Sequence, residues 1–217
     1  FDDRKHVEIT PENGHVRVAC SNGYQTLWAK CNCITKGSGT TAVPVEAIDE
    51  MLKAASSSML IRVFDNAIAY NSGSLSLESS IRADSRHITP MIPGVIATHR
   101  VKDSPSAIVD RTELINAIKS ADSVSQKRAI PSVKVEIDIA KLVVSCDNSE
   151  TSVTSDVPAD TIGTVSFRFA ASDIVNTLSK FTEDKVWIEH MEGSPTAWFS
   201  PHGNDNILIA VQIIRNE

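Results

Sequence analysis

The strongest constraint on the fold is an internal repeat with an offset of 126 residues. The stretch HVRVACSNG at 15–23 matches KLVVSCDNS at 141–149, and the match aligns Cys20 with Cys146. The same offset aligns the two copies across residues 7–60 without an insertion or deletion. We therefore predict that the chain contains one structural unit twice.

Each copy begins with alternating apolar residues, which indicate strands, and continues into a segment with helical spacing and further short strands. The predicted inward-facing residues of the helix in the first copy are Ile48, Met51, Leu52 and Ala55. In the second copy they are Ile174, Val175, Leu178 and Phe181, and Ser172 is the predicted N-cap.

A further helix is predicted only in the second copy, over residues 109–126. Asp110 is its predicted N-cap, and Glu113 completes the pattern of a capping box. Its counterpart would precede Phe1, so we expect the first copy to lack its first helix. The fold class that follows is α+β, with tandem units that each pack a helix pair on antiparallel sheet.

The charge of the chain limits its partners. Its formal net charge is −6 and its sequence pI is about 5.5, so tight binding of a phosphate backbone is not expected. No apolar run reaches the roughly 20 residues that span a membrane, and no signal peptide is evident, so we expect no membrane contact and a cytoplasmic location.

The four cysteines permit two disulfides by number, but a reducing cytoplasm favours free structural thiols. We expect no metal site, because Cys31 and Cys33 have neither the usual zinc spacing nor further ligands. The sequence contains no catalytic or phosphate-binding motif, so we expect a protein that is not an enzyme and needs no cofactor. An enzyme with an unrecognised site is the remaining alternative.

The strand at 206–214, NILIAVQII, is apolar on both faces. Two interpretations stay open: an edge strand of the core, or a strand that lines a groove for a partner peptide.

Several of these motifs resemble those of the bacterial DNA sliding clamp, the beta subunit of DNA polymerase III. In the first copy the similar stretches are VRVACSNGYQTL, AVPVEAIDEML and MIP at 91–93. In the second copy they are VDRTELINAIKSA, IPSVKVEI, LVVSCDNSE and SPTAWFSP. The resemblance covers essentially the whole chain and implies tandem DNA-clamp domains. Residues 1–93 would be the middle domain without its first helix, 94–105 a connector, and 106–217 the C-terminal domain.

The resemblance implies a processivity factor. Family subunits close head to tail into a homodimeric ring around double-stranded DNA, which holds the polymerase without sequence-specific contacts. The ring closes between a first and a third domain, so we expect this chain as given not to close one. Helices line the hole of the ring, and the DNA-facing residues implied here are Lys53, Arg111, Lys119 and Lys180.

Family clamps also bind short linear motifs of DNA polymerase, clamp loader and repair proteins. The implied peptide-binding pocket here comprises Gly23, Tyr24, Gln25, Thr26, Leu27, Pro90, Met91, Ile130, Val211, Gln212, Ile213 and Ile214. The chain departs from the family at Tyr24-Gln25, where a His-Arg pair is common, and at its C-terminal residues. Glu46 stands where basic residues are usual. These departures suit a divergent, phage-like clamp. A clamp-fold interaction scaffold with no DNA-tethering role is the alternative.

Overall fold

The computed structural model describes eight stretches of the chain, which are residues 6–23, 25–54, 59–64, 67–72, 75–80, 104–126, 131–148 and 150–214. These residues divide into two compact units. Described residues up to 80 form the first unit, except for residues 25–27, which belong to the second unit with residues 104–214. Residues 94–103 of the predicted connector lie outside the described residues.

The first unit contains seven strands and one helix among its described residues. They are β1 (His6–Glu12), β2 (His15–Ser21), β3 (Gln25–Asn32), β4 (Thr41–Pro44), α1 (Val45–Ala54), β5 (Leu60–Val63), β6 (Ala67–Ser72) and β7 (Leu75–Ser80). The strands follow one another in the orders β3-β2-β1-β4 and β5-β6-β7. Strand β1 pairs antiparallel with β2 and β4, and β6 pairs antiparallel with β5 and β7.

The second unit contains eight strands and two helices in the described part of the chain. They are β8 (Ser106–Asp110), α2 (Arg111–Ser125), β9 (Val133–Asp138), β10 (Lys141–Asp147), β11 (Ser152–Ile162), β12 (Val165–Phe169), α3 (Ala171–Leu178), β13 (Lys185–His190), β14 (Thr196–Pro201) and β15 (Ile207–Gln212). The strand order is β12-β9-β10-β11-β8-β13-β14-β15, and every pair of neighbours is antiparallel.

The two units share one order of elements, as the repeat predicts. Strands β1 to β4, helix α1 and strands β5 to β7 correspond in sequence to β9 to β12, α3 and β13 to β15. Strand β8 and helix α2 of the second unit have no counterpart among the described residues of the first unit. The α+β fold class that the sequence predicts is confirmed.

The start of helix α2 is fixed by hydrogen bonds that follow directly from its sequence. Asp110 Oδ1 accepts from the backbone N–H of Glu113 at 2.9 Å, which confirms the predicted N-cap. The backbone N–H of Arg111 donates to Asp184 O at 2.7 Å, and Arg111 Nε donates to Glu183 O at 2.8 Å. The first turn of α2 is therefore held to the loop before β13.

The predicted N-cap of helix α3 is wrong. The helix begins at Ala171, and Ala170 occupies the N-cap position without a side-chain hydrogen bond. Strand β12 ends at Phe169, which is fully buried, and Ile174 is fully buried four residues into the helix. These two core positions leave only Ala170 between strand and helix, so burial sets the helix start rather than the capping preference of Ser172.

The core of the second unit lies between its helices and its sheet. It includes Leu114, Ile118 and Ile174 from the helices, and the rings of Phe169 and Phe199 meet edge to face at 5.7 Å between centroids. All four cysteines of the chain are free thiols. None of the helices in the described residues is long and apolar enough to cross a membrane.

The core of the first unit is smaller, and one predicted inward-facing residue is exposed there. Ile9, Val43, Met51, Ile68 and Tyr70 form its buried cluster. Leu52 of α1 has 65% of its surface exposed. Its repeat counterpart, Leu178 of α3, is fully buried at 0%. Helix α2 packs against α3 in the second unit, and the described part of the first unit has no second helix to cover the corresponding face of α1.

This difference yields a matched pair of variants. We expect Leu178→Ala to destabilise the second unit by about 2–5 kcal/mol, because it removes a buried side chain and leaves a cavity. Leu52→Ala removes the same atoms from an exposed position, so we expect a change below about 1 kcal/mol. Urea unfolding followed by tryptophan fluorescence measures both values. Equal losses for the two variants would contradict the observed burial.

A buried histidine adds a pH dependence to the second unit. His190 has 4% of its surface exposed, and its ring packs on Phe167 with 4.8 Å between centroids. Burial lowers the pKa of His190 below its ordinary value of 6.5, against the opposing hydrogen bond from Nδ1 to Thr196 O at 3.0 Å. The unfolded chain therefore binds a proton at higher pH than the folded chain does.

The free energy of unfolding should accordingly be highest above the unfolded pKa and fall as the pH drops below about 6.5. We expect His190→Gln to remove part of this slope, whereas His202→Gln, at an exposed position, retains it. Urea unfolding at a series of pH values from about 7.5 to about 5, on both sides of the ordinary pKa of 6.5, tests the comparison. Identical slopes for the two variants would exclude His190 as the source.

Candidate functional site

The predicted peptide pocket is described in two segments of the second unit, namely residues 25–27 and the tail 211–214. Gly23 is described in the first unit, where its exposed backbone has a positive φ of 89° and its N–H donates to Ser21 Oγ at 3.2 Å. The other predicted members, Tyr24, Pro90, Met91 and Ile130, lie outside the described residues.

Residues 25–27 are the extended beginning of β3. Gln25 has 8% of its surface exposed, and its Oε1 accepts from Thr177 Oγ1 of helix α3 at 3.5 Å. Leu27 is partly buried and packs against the core of the second unit. Thr26 is half-buried between them. These contacts fix the extended segment against the second unit.

The tail continues the last strand and is tied to two neighbouring segments. The backbone N–H of Ile213 donates to Pro195 O at 2.9 Å, and that of Ile214 donates to Arg168 O at 2.8 Å. Val211 has 2% of its surface exposed, so it belongs to the core. Gln212 is exposed, and Ile213 is partly buried against the same core as Leu27.

The burial of β15 bears on the two interpretations of the apolar tail strand. Ile209 and Val211 on one face and Leu208 and Ala210 on the other all have less than a tenth of their surface exposed. The strand is therefore a core strand as far as Val211. At its C-terminal end, residues 212–214 retain surface that a partner peptide can reach.

Sequence reasoning missed a cation beside this tail, Arg168 of β12. Its Nη2 lies 3.7 Å from Asp147 Oδ1, and its buried Nη1 has no hydrogen-bond partner in the described part of the chain. Its own carbonyl accepts the N–H of Ile214. The alternation of β12, with Phe167 and Phe169 buried, places Arg168 on the opposite face. That alternation is the sequence pattern from which the position of Arg168 on this face could be predicted.

The site thus combines a fixed backbone with partly buried apolar side chains. Such an arrangement suits an extended peptide that places apolar side chains against Leu27 and Ile213. Within the described ranges, no group of three or more His, Cys, Asp or Glu side chains is close enough to hold a metal ion.

The residues implied to face DNA are differently engaged. Lys53 Nζ donates to Glu50 Oε1 at 2.6 Å, and this hydrogen bond raises the pKa of Lys53. The guanidinium of Arg111 is partly engaged, because its Nε donates a hydrogen bond to Glu183 O. Lys119 on α2 and Lys180, two residues after α3, are exposed.

The helices are acidic on balance. Their sequences contain three basic residues, Lys53, Arg111 and Lys119. They contain six acidic residues, which are Glu46, Asp49, Glu50, Glu113, Asp122 and Asp173. Strong attraction between these helices and a phosphate backbone is not expected from this balance.

Comparison with solved structures shows which fold this is. The beta subunit of DNA polymerase from Streptococcus pyogenes matches with a TM-score of 0.85 at 12% identity, over 98% of this chain and 58% of that one. The DNA polymerase III beta subunit from Thermotoga maritima matches with a TM-score of 0.85 at 13% identity, over 100% and 59%. That from Pseudomonas aeruginosa gives 0.85 at 14% identity, over 98% and 58%.

The chain therefore has the fold of bacterial sliding clamps and spans somewhat more than half the length of these beta subunits. No family model matches the sequence, and no curated protein matches it. At 12–14% identity the similarity establishes the fold alone.

Proposed function

We propose that this chain is part of a DNA sliding clamp, a non-enzymatic processivity factor that encircles double-stranded DNA and binds replication proteins. The observation that carries the proposal is the agreement of fold over 98% or more of the chain with beta subunits of bacterial DNA polymerase. In this proposal the full-length protein forms a homodimeric ring in the cytoplasm, and DNA polymerase, clamp loader and repair proteins bind through short linear motifs.

The peptide site at residues 25–27 and 211–214 supplies the partner-binding part of this function. Leu27 and Ile213 are only partly buried against the core, so each keeps apolar surface that a peptide side chain can cover. Burial of one leucine or phenylalanine side chain contributes about 1.5–3 kcal/mol. The hydrogen bonds of the Ile213 and Ile214 backbones hold the tail in place before the peptide arrives, which lowers the entropy cost of binding.

The DNA-tethering part depends on closure of a ring rather than on affinity. A ring that surrounds DNA retains it without strong contacts, so an acidic set of helices is compatible with this function. Lys119 and Lys180 are the implied DNA-facing residues whose side chains are exposed and have no ion pair within the described part of the chain. Weak, sequence-independent contacts with phosphates are the role we propose for them.

The interaction scaffold remains the second candidate because of one observation. Helix α1 carries Glu46, Asp49 and Glu50 against the single cation Lys53, which is itself paired with Glu50. A helix of this charge repels phosphates. In a protein that never surrounds DNA, this repulsion has no cost. The two functions differ in whether the exposed lysines contribute to DNA binding.

Replacement of Ile213 tests the peptide site. We expect Ile213→Asp to weaken binding of clamp-binding peptides from a bacterial replicative polymerase by at least about tenfold, because the charge is placed where an apolar side chain is buried. Isothermal titration calorimetry measures the affinity. Gln212→Ala, at an exposed neighbouring position, provides a second variant that should weaken binding without affecting the core.

The matched control is Ile139→Asp, which makes the same substitution at a turn residue with 80% of its surface exposed. It should bind the peptides as the unmodified chain does. Thermal unfolding of all three variants identifies any loss of structure. Unchanged affinity in a folded Ile213→Asp variant would show that the peptide binds elsewhere on the chain.

Lys119→Glu combined with Lys180→Glu tests the DNA contacts. For a linear duplex of about 30 base pairs, we expect the slope of log affinity against log salt to decrease by about 2, because two phosphate contacts are lost. The control is Lys36→Glu combined with Lys185→Glu, which changes two exposed lysines that are not among the implied DNA-facing residues. Fluorescence anisotropy at several salt concentrations gives the slopes. Equal slopes for both double variants would favour the scaffold.

A further inference from the structure

The function proposed above leaves the buried side chain of His190 without a role. His190 is the last residue of β13, and only 4% of its surface is exposed. Its Nδ1 lies 3.0 Å from Thr196 O, and its ring packs on Phe167. Because a carbonyl oxygen can only accept a hydrogen bond, Nδ1 is the nitrogen that carries the proton in the neutral ring. The imidazole therefore connects strand β12 with the start of strand β14 inside the core.

The residues next to these two contacts hold the tail of the peptide site. Pro195 O accepts the backbone N–H of Ile213 at 2.9 Å, and Arg168 O accepts that of Ile214 at 2.8 Å. Pro195 directly precedes the hydrogen-bond acceptor of the histidine, and Arg168 directly follows the phenylalanine that packs on its ring. Both anchors of the tail are thus one residue away from a direct contact of His190.

The turn between β13 and β14, residues 191–195, is the part of this arrangement that opens most easily. Four of its five residues are exposed. It is closed by hydrogen bonds from Ser194 N to Met191 O at 2.9 Å and from Thr196 N to Ser194 Oγ at 3.2 Å. Exposed hydrogen bonds of this kind open at a lower free-energy cost than those of buried strands. Opening of the turn would give the His190 ring access to water.

The charge that acts on this ring comes from the turn itself. Within the described ranges, Glu192 is the charged group that favours the protonated ring. Strand β13 packs against β8, β12 and β14, and β14 contains no charged residue. Asp110 of β8 pairs with Lys185 at the other end of β13. Strand alternation places Glu189 and Arg168 on the faces of β13 and β12 that point away from the ring.

Protonation would place a cation in this buried position. Burial lowers the pKa of His190 below its ordinary value of 6.5, so the closed arrangement disfavours the protonated ring. Protonation also adds a second N–H donor, at Nε2, which water can satisfy once the turn is open. The open state therefore binds a proton at higher pH than the closed state does, and acid shifts the population toward the open state.

We propose that His190 is a positioning residue of the peptide site: its neutral ring keeps the 191–195 turn closed on Ile213, and its protonation opens the turn and releases the tail. The inference rests on the proposed function, in which Ile213 contacts the partner peptide. The peptide should therefore bind more weakly in acid. Because coupling between two ligands is reciprocal, a bound peptide should in turn weaken proton binding to His190.

Amide hydrogen exchange of the 217-residue chain tests the positioning without a peptide. We expect the protection factor of the Ile213 amide to fall at least about fivefold between about pH 7.5 and about pH 5. The amide of Val144, which is buried on a strand paired at both edges, is the reference and should keep its protection. Constant protection at Ile213, or an equal fall at both amides, would overturn the proposal.

Two variants separate the hydrogen bond from the charge. His190→Asn places an amide donor near the position of Nδ1 and does not titrate, so protection of Ile213 should become independent of pH. His190→Leu removes the donor, so protection should be low at both pH values. His202→Gln, at an exposed position of the same unit, is the matched control and should behave as the unmodified chain does. A pH dependence that persists in folded His190→Asn would exclude His190 as its source.

A histidine-free clamp-binding peptide from a bacterial replicative polymerase tests the effect on binding. By isothermal titration calorimetry, its affinity should be at least about fivefold lower at about pH 5 than at about pH 7.5. Circular dichroism checks that the chain is folded at both pH values. An NMR titration of the imidazole signals needs no variant, and it should show a lower pKa of His190 when the peptide is bound.

The outcomes distinguish this inference from the function on which it rests. Peptide binding with equal affinity at both pH values, or with no effect on the titration of His190, would overturn the positioning role and leave the proposed function standing. Absence of binding at both pH values would contradict the proposed peptide site and with it the release of a peptide by acid.

Discussion

The second unit depends on one strand, β8, which pairs on both of its edges. Its residues 106–109 pair with β11 on one side and with β13 on the other, so it joins two groups of strands into a single sheet of eight. Its last residue, Asp110, also caps helix α2, which packs on β10, β11 and α3. Strand β8 therefore joins the two groups of strands, and its last residue fixes the start of the helix that covers the sheet.

The first unit shows the consequence of having no such strand and helix among its described residues. There β5 stands at the edge of a three-stranded sheet, and all four of its residues are exposed, with Leu60 at 51%. Leu52 of α1 is exposed for the same reason, although its sequence position matches the buried Leu178. The repeated sequence specifies the same local elements in both units, but burial depends on which further elements are present to cover them.

The sequence was most informative where a local interaction fixes the structure. Asp110 was predictable as a cap because one side chain bonds to one nearby N–H. Ser172 was a wrong prediction because the position of helix α3 depends on the burial of Phe169 and Ile174. In the candidate site, the burial of Val211 depends on neighbours far along the chain, so periodicity gave no basis for predicting it. The alternation of β12, by contrast, already placed Arg168 on the face opposite Phe167 and Phe169.

The acidic surface of α1 has a different meaning in each function considered. For DNA binding it is unfavourable, so a clamp with such a helix must retain DNA by closure, with lysines of other segments making the phosphate contacts. For an interaction scaffold that never surrounds DNA, the same carboxylates carry no such penalty. The carboxylates of α1 are therefore compatible with the sliding-clamp fold, because the fold does not depend on a strong grip of this helix on DNA.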